Sequence, residues 1–213
     1  MREQEGVIKF SLEFTPAPPL PEEDLRELGA WRRILWLLGL TGRDPARYGG
    51  LGYGNVSRRL PAADGAPTAR PFVISGTQTG GLPWLGPEHY ALVRFCDPQR
   101  NRVVAEGPLR PSSEALTHGG LYALDPDLAC VLHVHAPDLW QKSAALGLPV
   151  TDPAAAYGTP EISTEVARLY ADPTARAAGL FAMGGHEDGL VAFGPTISAA
   201  GTTMVQWLAR ALV

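Results

Sequence analysis

Two histidines one residue apart lie inside an apolar run: His133 and His135 in ACVLHVHA, residues 129–136. In a strand, residues i and i+2 point to the same face and stand about 7 Å apart along the backbone. That separation suits two ligands of one tetrahedral ion with bonds of about 2 Å. The competing reading is a pair of hydrogen-bonded core histidines, because a buried imidazole is costly without a partner. The chain has only five histidines. One of them, His186, sits in Gly184-Gly185-His186-Glu187-Asp188-Gly189, a tight turn between two apolar stretches. Glycines let the backbone take left-handed angles and approach a ligand closely. By itself His186 reads as a surface turn residue; beside an HxH strand it becomes a candidate third ligand. Three protein ligands with a fourth position open are the pattern of a catalytic zinc site. The same His₃ set also accepts manganese, iron or cobalt.

A carboxylate precedes the HxH strand by nineteen residues. Glu114 follows Pro111-Ser112-Ser113 and opens a predicted helix. Serine hydroxyls and the free amides of a helix start together favour an anion. Glu114 there could ligate the ion or take a proton beside it; a plain capping motif is the alternative. His118 lies one turn further on the same helix face, either as a support for the site or as a packed helix histidine. Tyr157 could line the site or be a core aromatic. Arg58, Arg59 and Arg110 read as solvated charges, and His89 as a helix-start residue.

These residues need elements to position them. Val7 to Phe14 alternates with Ile8, Phe10, Leu12 and Phe14 on one side, which predicts a strand. Proline-rich residues 15–21 predict a linker. Pro21 followed by Glu22, Glu23 and Asp24 predicts a helix to about Leu40, with Trp31, Ile34, Leu35 and Leu38 facing the core. Strands are predicted at 56–60, 71–75, 102–106, 129–135, 180–183 and 189–193, and a polar turn at 61–70. A strand, or a short helix and a strand, is predicted over 89–97. Helices are predicted at 112–124, 161–170 and 196–211. Interleaved strands and helices with no internal repeat predict one α/β domain. The division is an N-terminal extension over 1–21 and a metal-binding domain over 22–213.

Composition narrows the function classes. The chain has 213 residues, 45% hydrophobic and 19% charged, with a net charge of −4. That is a globular profile with room for one sizeable core. The acidic balance argues against a nucleic-acid partner. The most apolar stretch, Ile34 to Leu40, is too short to span a bilayer, and the N-terminus lacks a signal-peptide layout. Cys96 and Cys130 form no CxxC pair, which fits a cytoplasmic protein with reduced thiols.

Taken together, several motifs carry a resemblance from about Arg47 to Ala200. They are Gly54-Asn55-Val56-Ser57, Thr77-Gln78-Thr79-Gly80 followed by Pro87-Glu88-His89, Pro111-Ser112-Ser113-Glu114, His133-Val134-His135, Tyr157-Gly158-Thr159-Pro160-Glu161 and His186. In this order and spacing the chain resembles the class II aldolase/adducin family, which includes fuculose-phosphate aldolases. The resemblance implies a layered α/β/α fold around a mainly antiparallel sheet. It implies zinc, or another divalent transition metal, on His133, His135 and His186, and Glu114 as an acid/base that can also sit on the metal. It implies that Gly54, Asn55, Thr79, Gly80, Ser112 and Ser113 cradle the phosphate of a small-molecule substrate. Family members are commonly tetramers, so a homo-oligomer is implied.

The activity implied is a metal-dependent lyase acting on a small hydroxy-carbonyl or sugar-phosphate compound through an enediolate. An epimerase, dehydratase or decarboxylase on the same scaffold is the alternative, as is a non-enzymatic module like the adducin head. The chain departs from the family pattern in places. Gln78 stands at a usual proline, and Gly185 and Glu187 flank His186 where Asn and Gly are usual. No counterpart is found of the neighbouring-subunit tyrosine of the aldolases.

Overall fold

The computed structural model describes residues 6–60 and 70–213. The polar turn expected at 61–70 therefore lies, except for Arg70, outside the described residues. The strands are β1 (Ser11–Pro16), β2 (Gly42–Arg43), β3 (Gly52–Tyr53), β4 (Asn55–Arg59), β5 (Phe72–Ser75), β6 (Tyr90–Asp97), β7 (Arg102–Gly107), β8 (Cys130–His135), β9 (Leu180–Ala182) and β10 (Gly189–Gly194). The helices are α1 (Glu22–Leu37), α2 (Ala115–Leu124), α3 (Pro137–Gln141), α4 (Pro160–Ala171), α5 (Pro173–Ala178) and α6 (Ile197–Ala211).

Eight strands form one sheet in the order β1-β7-β6-β5-β4-β8-β10-β9. All neighbours in it are antiparallel except β1 with β7. The sheet is buried on both faces. One face packs Ile74, Val93, Val131 and Val191 against Leu116 and Leu121 of α2, Ile162 and Val166 of α4, and Ala175 of α5. The other packs Val56, Val73, Leu132 and Leu190 against Leu28 and Leu35 of α1, Leu139 of α3 and Met204 of α6. This is the layered α/β/α class expected, and the two-sided burial explains why β8 reads as a continuous apolar run rather than an alternating one.

The alternation of β8 is set by this arrangement. Cys130, Leu132 and Val134 face α1 and α6, and Val131 faces α2 and α4. His133 and His135 share the parity of Val131 and so project to the α2/α4 side. No helix among the described residues is long and apolar enough to cross a membrane.

Three local expectations differ. The first strand starts later, at Ser11, because its register with β7 begins at Ser11 opposite Arg102; it runs through Thr15 and Pro16, placed in the linker by their composition. The buried face of α1 is Leu25, Leu28, Arg32 and Leu35, while Ile34 and Leu38 are 39% and 46% exposed. An arginine at a core position of the helix rotates the true stripe away from the one hydrophobicity predicts. The short helices α3 and α5 were not predicted, since five or six residues carry too little periodicity to register.

Candidate metal centre and substrate cleft

Sheet register assembles the centre. His133 lies opposite Asn55 of β4 and Val191 of β10, and His135 lies opposite Gly189 of β10. Directly opposed residues share a face, so Asn55 points to the same side as the imidazoles. His186 comes from the turn that joins β9 to β10, held by His186 N–H to Met183 O at 3.2 Å and Gly189 N–H to His186 O at 3.0 Å. Gly189 makes the approach possible: a Cβ there would stand 2.5 Å from His186 Cδ2.

The three rings pack edge to face, with centroids 4.9–5.0 Å apart. One ligand nitrogen from each lies within 4.8 Å of the others. His186 Nε2 is 3.0 Å from His135 Nε2. Two nitrogens bound to one tetrahedral zinc stand about 3.3 Å apart, so the cluster is of the size a divalent ion requires. All three residues are buried.

Burial holds His133 and His135 well below the ordinary imidazole range, reinforced for both by the neighbouring His186. Both rings are therefore neutral, the form that ligates metal. Neither ring nitrogen of His133 has a hydrogen-bond partner among the described residues. A satisfied core histidine does not look like this. The donor set fits a resident divalent metal, and the alternative of a hydrogen-bonded core pair fails on His133.

Glu114 is 1% exposed at the head of α2. It is not one of the group whose ligand atoms converge. Ser112 does not cap the first helical turn; its Oγ accepts the Glu114 N–H at 3.2 Å. One turn on, His118 lies within electrostatic range of His133. The helix thus begins beside Ser112 and Ser113 and passes beside His133.

The six residues expected to cradle an anion come together. Gly54, Asn55, Thr79, Gly80, Ser112 and Ser113 all line one small cleft. Its floor is stiffened from below by Arg32 of α1. The Arg32 guanidinium donates to Thr79 O at 2.9 Å, to Gly80 O at 2.6 Å and to Leu82 O. Burial lowers its pKa to about 10, which leaves it charged at neutral pH. Gln78, at the family's usual proline position, has φ of 61°. Proline is locked near −65° and could not adopt it. The Gln78 amide oxygen accepts the Gly52 N–H at 3.2 Å instead and ties the two loops together.

Around the histidines stand residues that the sequence did not single out. Tyr48 and Tyr53 pack against His135 with ring centroids at 4.5 and 5.2 Å. Tyr48 Oη donates to Asp188 Oδ2 at 2.6 Å, and Arg47 Nη2 donates to the same oxygen at 2.6 Å. Burial and then the Asp188 carboxylate raise the Tyr48 pKa, so its proton stays on. Tyr48 and Asp188 both have positive φ, 50° and 64°. Non-glycine residues there are strained and cluster at functional sites.

Asp188, which as a neighbour of His186 in sequence could add charge at the metal or simply solvate the turn, is at 5% exposure a buried brace between the His186 turn and residues 47–48. Tyr157 is fully buried, with its ring 4.7 Å from that of His186. Arg58 and Arg59 are spent on backbone carbonyls: Arg58 on Asp24 O, and Arg59 on Asp125 O and Pro126 O. His89 accepts the Gly86 N–H at 3.0 Å in a 3₁₀ turn, as a helix-start residue would.

A layered α/β/α protein with three converging buried histidines beside a polar, glycine-rich cleft defines a narrow class. The chain belongs to the family described as Class II Aldolase and Adducin N-terminal domain, which it matches over residues 46–211. That family includes aldolases and dehydratases. The fold is shared with a sugar-phosphate aldolase from Thermotoga maritima, with a TM-score of 0.67 at 15% identity over 89% of this chain and 92% of that one. It is also shared with L-fuculose-1-phosphate aldolase from Thermus thermophilus, at a TM-score of 0.59 and 18% identity over 86% and 88%.

In sequence the chain is similar to a methylthioribulose-1-phosphate dehydratase from Xanthomonas euvesicatoria pv. vesicatoria (strain 85-10). They are 36% identical over 83 residues, 39% of this chain and 32% of that protein. The chain therefore matches about a third of the length of that relative.

Proposed function

We propose that this protein is a metal-dependent lyase acting on a small hydroxy-carbonyl compound that bears an anionic group, such as a sugar phosphate. The observation that carries the reading is the trio His133, His135 and His186: buried and converging on one point in a chain of this family. His133, His135 and His186 would hold a divalent ion, zinc in our reading, which would supply Lewis acidity toward the oxygens of a hydroxy-carbonyl substrate.

The chain does the rest. Gly54, Asn55, Thr79, Gly80, Ser112 and Ser113 offer amides, hydroxyls and one carboxamide to the anionic end, which fixes the substrate against the imidazoles. Glu114, on the residue after Ser113, takes a proton from the substrate and returns it. Whether Glu114 also contacts the metal is a second role in the same proposal. Tyr48, Arg47 and Asp188 hold His135 and the His186 turn in place.

A dehydratase is the second reading, favoured by the 36% identity to a sugar-phosphate dehydratase. It uses the same proton abstraction but loses water from the neighbouring carbon instead of breaking a C–C bond. The proposal extends to a cytoplasmic homo-oligomer, supported by the free thiols of Cys96 and Cys130 and by the family resemblance.

Elemental analysis of untagged wild type and His133→Ala tests the centre. We expect about one transition metal ion per chain, lost in the variant. Deuterium exchange at the carbon beside the carbonyl of dihydroxyacetone phosphate, followed by proton NMR, then reads enolisation. Exchange should require the metal and fall at least a hundredfold in Glu114→Gln. A wild type that takes up no zinc would refute the reading.

A further inference from the structure

The cleft lined by the glycine, serine and threonine loops has no charged residue among its described lining residues. An anion there gains hydrogen bonds from the lining, while the Arg32 guanidinium behind it is taken up by the loop carbonyls of Thr79 and Gly80. The structure brings a second cation beside these loops, from a part of the chain far away in sequence.

Residues 6–9 lie ahead of β1 and run along the cleft. Gly6 lines it beside Gln78, Thr79, Ser112 and Ser113. Its φ is 74°, and a Cβ on it would come within 1.9 Å of Gln78 Nε2, so glycine suits this contact. Val7 N–H donates to Tyr157 Oη at 3.2 Å. Lys9 is fixed at its backbone: Asn101 Nδ2 donates to Lys9 O at 3.2 Å, and Ser11 N–H donates to Asn101 O at 2.8 Å. Beyond that point β1 locks onto β7. The Lys9 Nζ lies 3.6 Å from the centroid of the Tyr157 ring, the same ring that packs edge-on against His186. On its other flank, the Lys9 Cβ is 4.0 Å from where a Cβ on Gly158 would stand, and Ser113 O is 2.9 Å from that point. Lys9 thus sits between Ser113 of the cleft and Tyr157 of the metal centre.

We propose that the arm formed by residues 6–9 is a wall of the active site, and that Lys9 is a substrate-binding residue whose ammonium pairs with the anionic group of the substrate. The inference rests on the reading of the histidine centre and cleft as one active site. Its chemistry is straightforward. The ammonium has three donors on a flexible stem and can leave an aromatic face for an oxyanion. A charge-assisted hydrogen bond to a phosphate or carboxylate is roughly twice as strong as one between neutral groups. The arm then gives this chain a charge that its own loops do not provide.

Calorimetric titration of the full-length protein, with and without zinc, tests the role of Lys9. The ligands are dihydroxyacetone phosphate, pyruvate and uncharged dihydroxyacetone; the proteins are wild type, Lys9→Met and Lys9→Arg. Methionine keeps a stem over Tyr157 and removes only the charge. We expect wild type to bind one of the two anions, which identifies phosphate or carboxylate as the group read. That affinity should fall tenfold or more in Lys9→Met and return to within about threefold in Lys9→Arg, while dihydroxyacetone binds all three alike.

Equal anion affinity in wild type and Lys9→Met would overturn the proposal. So would an equal loss for charged and uncharged ligands, which would mark a packing role, or a wild type that binds neither anion. Metal content and deuterium exchange judge the enzymatic reading separately. Anion binding that depends on Lys9 in a protein that takes up no metal would leave this inference standing and remove the other.

Discussion

His118 lies four residues beyond Glu114 and is fully buried. Its Nδ1 is 2.7 Å from Ser57 Oγ, and that hydroxyl is 2.7 Å from Tyr122 Oη, so a short polar chain runs under the sheet face that carries the metal ligands. Its Nε2 has no hydrogen-bond partner among the described residues. Burial pushes the His118 pKa down to about 3. The folded protein therefore keeps this ring neutral, whereas the unfolded chain protonates it near pH 6.5. A depressed pKa contributes stability that is whole above the unfolded value and is lost as pH falls toward the folded one. The window runs from about pH 6.5 down to about pH 3. Within it each extra proton taken up by the unfolded chain costs about 1.4 kcal/mol per pH unit. His133 and His135 are displaced in the same direction and steepen the loss. Urea unfolding of metal-free protein should show constant stability above pH 7 and a steady fall below about pH 6. His118→Leu should make that fall shallower by about one proton's worth of slope. An unchanged slope would show that His118 is already protonated in the fold.

At the scale of elements, α1 serves the cleft without entering it. Arg32 replaces an apolar residue at a core position and spends its guanidinium on the carbonyls of the loop after β5. With those carbonyls held from behind, the loop keeps the shape that presents Thr79 and Gly80. Lysine carries the same charge but offers no planar fork, so it cannot serve three carbonyls at once. Arg32→Leu should cost on the order of 3 kcal/mol, because several buried acceptors lose their donor. Arg32→Lys should cost less but still weaken anion binding, while metal content stays at the wild-type level; chemical denaturation and calorimetry together read both effects. A variant with weakened metal binding would mean the loop and the centre are one cooperative unit. This element also shows what hydrophobic patterning misses. Of the stripe Trp31, Ile34, Leu35, Leu38 that apolar spacing suggests, Leu35 is buried and Trp31 packs against the core, but Ile34 and Leu38 are exposed, and Leu25, Leu28 and Arg32, an arginine with three carbonyl acceptors, complete the inward face. The strands around the site were legible for the opposite reason: β8 and β10 are buried on both faces and read as apolar runs, β8 interrupted by its two histidines.

At the scale of the whole molecule, the site is a product of sheet order. Placing β4, β8 and β10 side by side sets Asn55 opposite His133 and Gly189 opposite His135, and the β9–β10 turn delivers His186 from 51 residues away. The three histidines could be singled out in the sequence because each sits in a local pattern, an HxH strand or a glycine-flanked turn, and the structure brings them together. Lys9, Arg47, Tyr48 and the bracing role of Asp188 could not, because each is defined by partners far away in sequence; Asp188, for one, accepts bonds from residues 47 and 48. The parallel seat of β1 on β7 is of the same kind: a strand pattern names the strand but not its partner. Such a site should act as a clasp. An ion held by β8 and the β9–β10 turn binds only the folded chain, so it stabilises by RT ln(1 + [M]/Kd), about 4 kcal/mol at a thousandfold excess over Kd. For a domain of about 200 residues that is roughly a 10 °C rise in Tm. Thermal unfolding of chelated protein against a zinc titration should show that rise, growing with the logarithm of free zinc, and the midpoint of His186→Ala should stay flat. A wild-type midpoint that ignores zinc would mean that the three imidazoles meet without a metal between them. The neutral His133 would then need another explanation for its two unpartnered nitrogens.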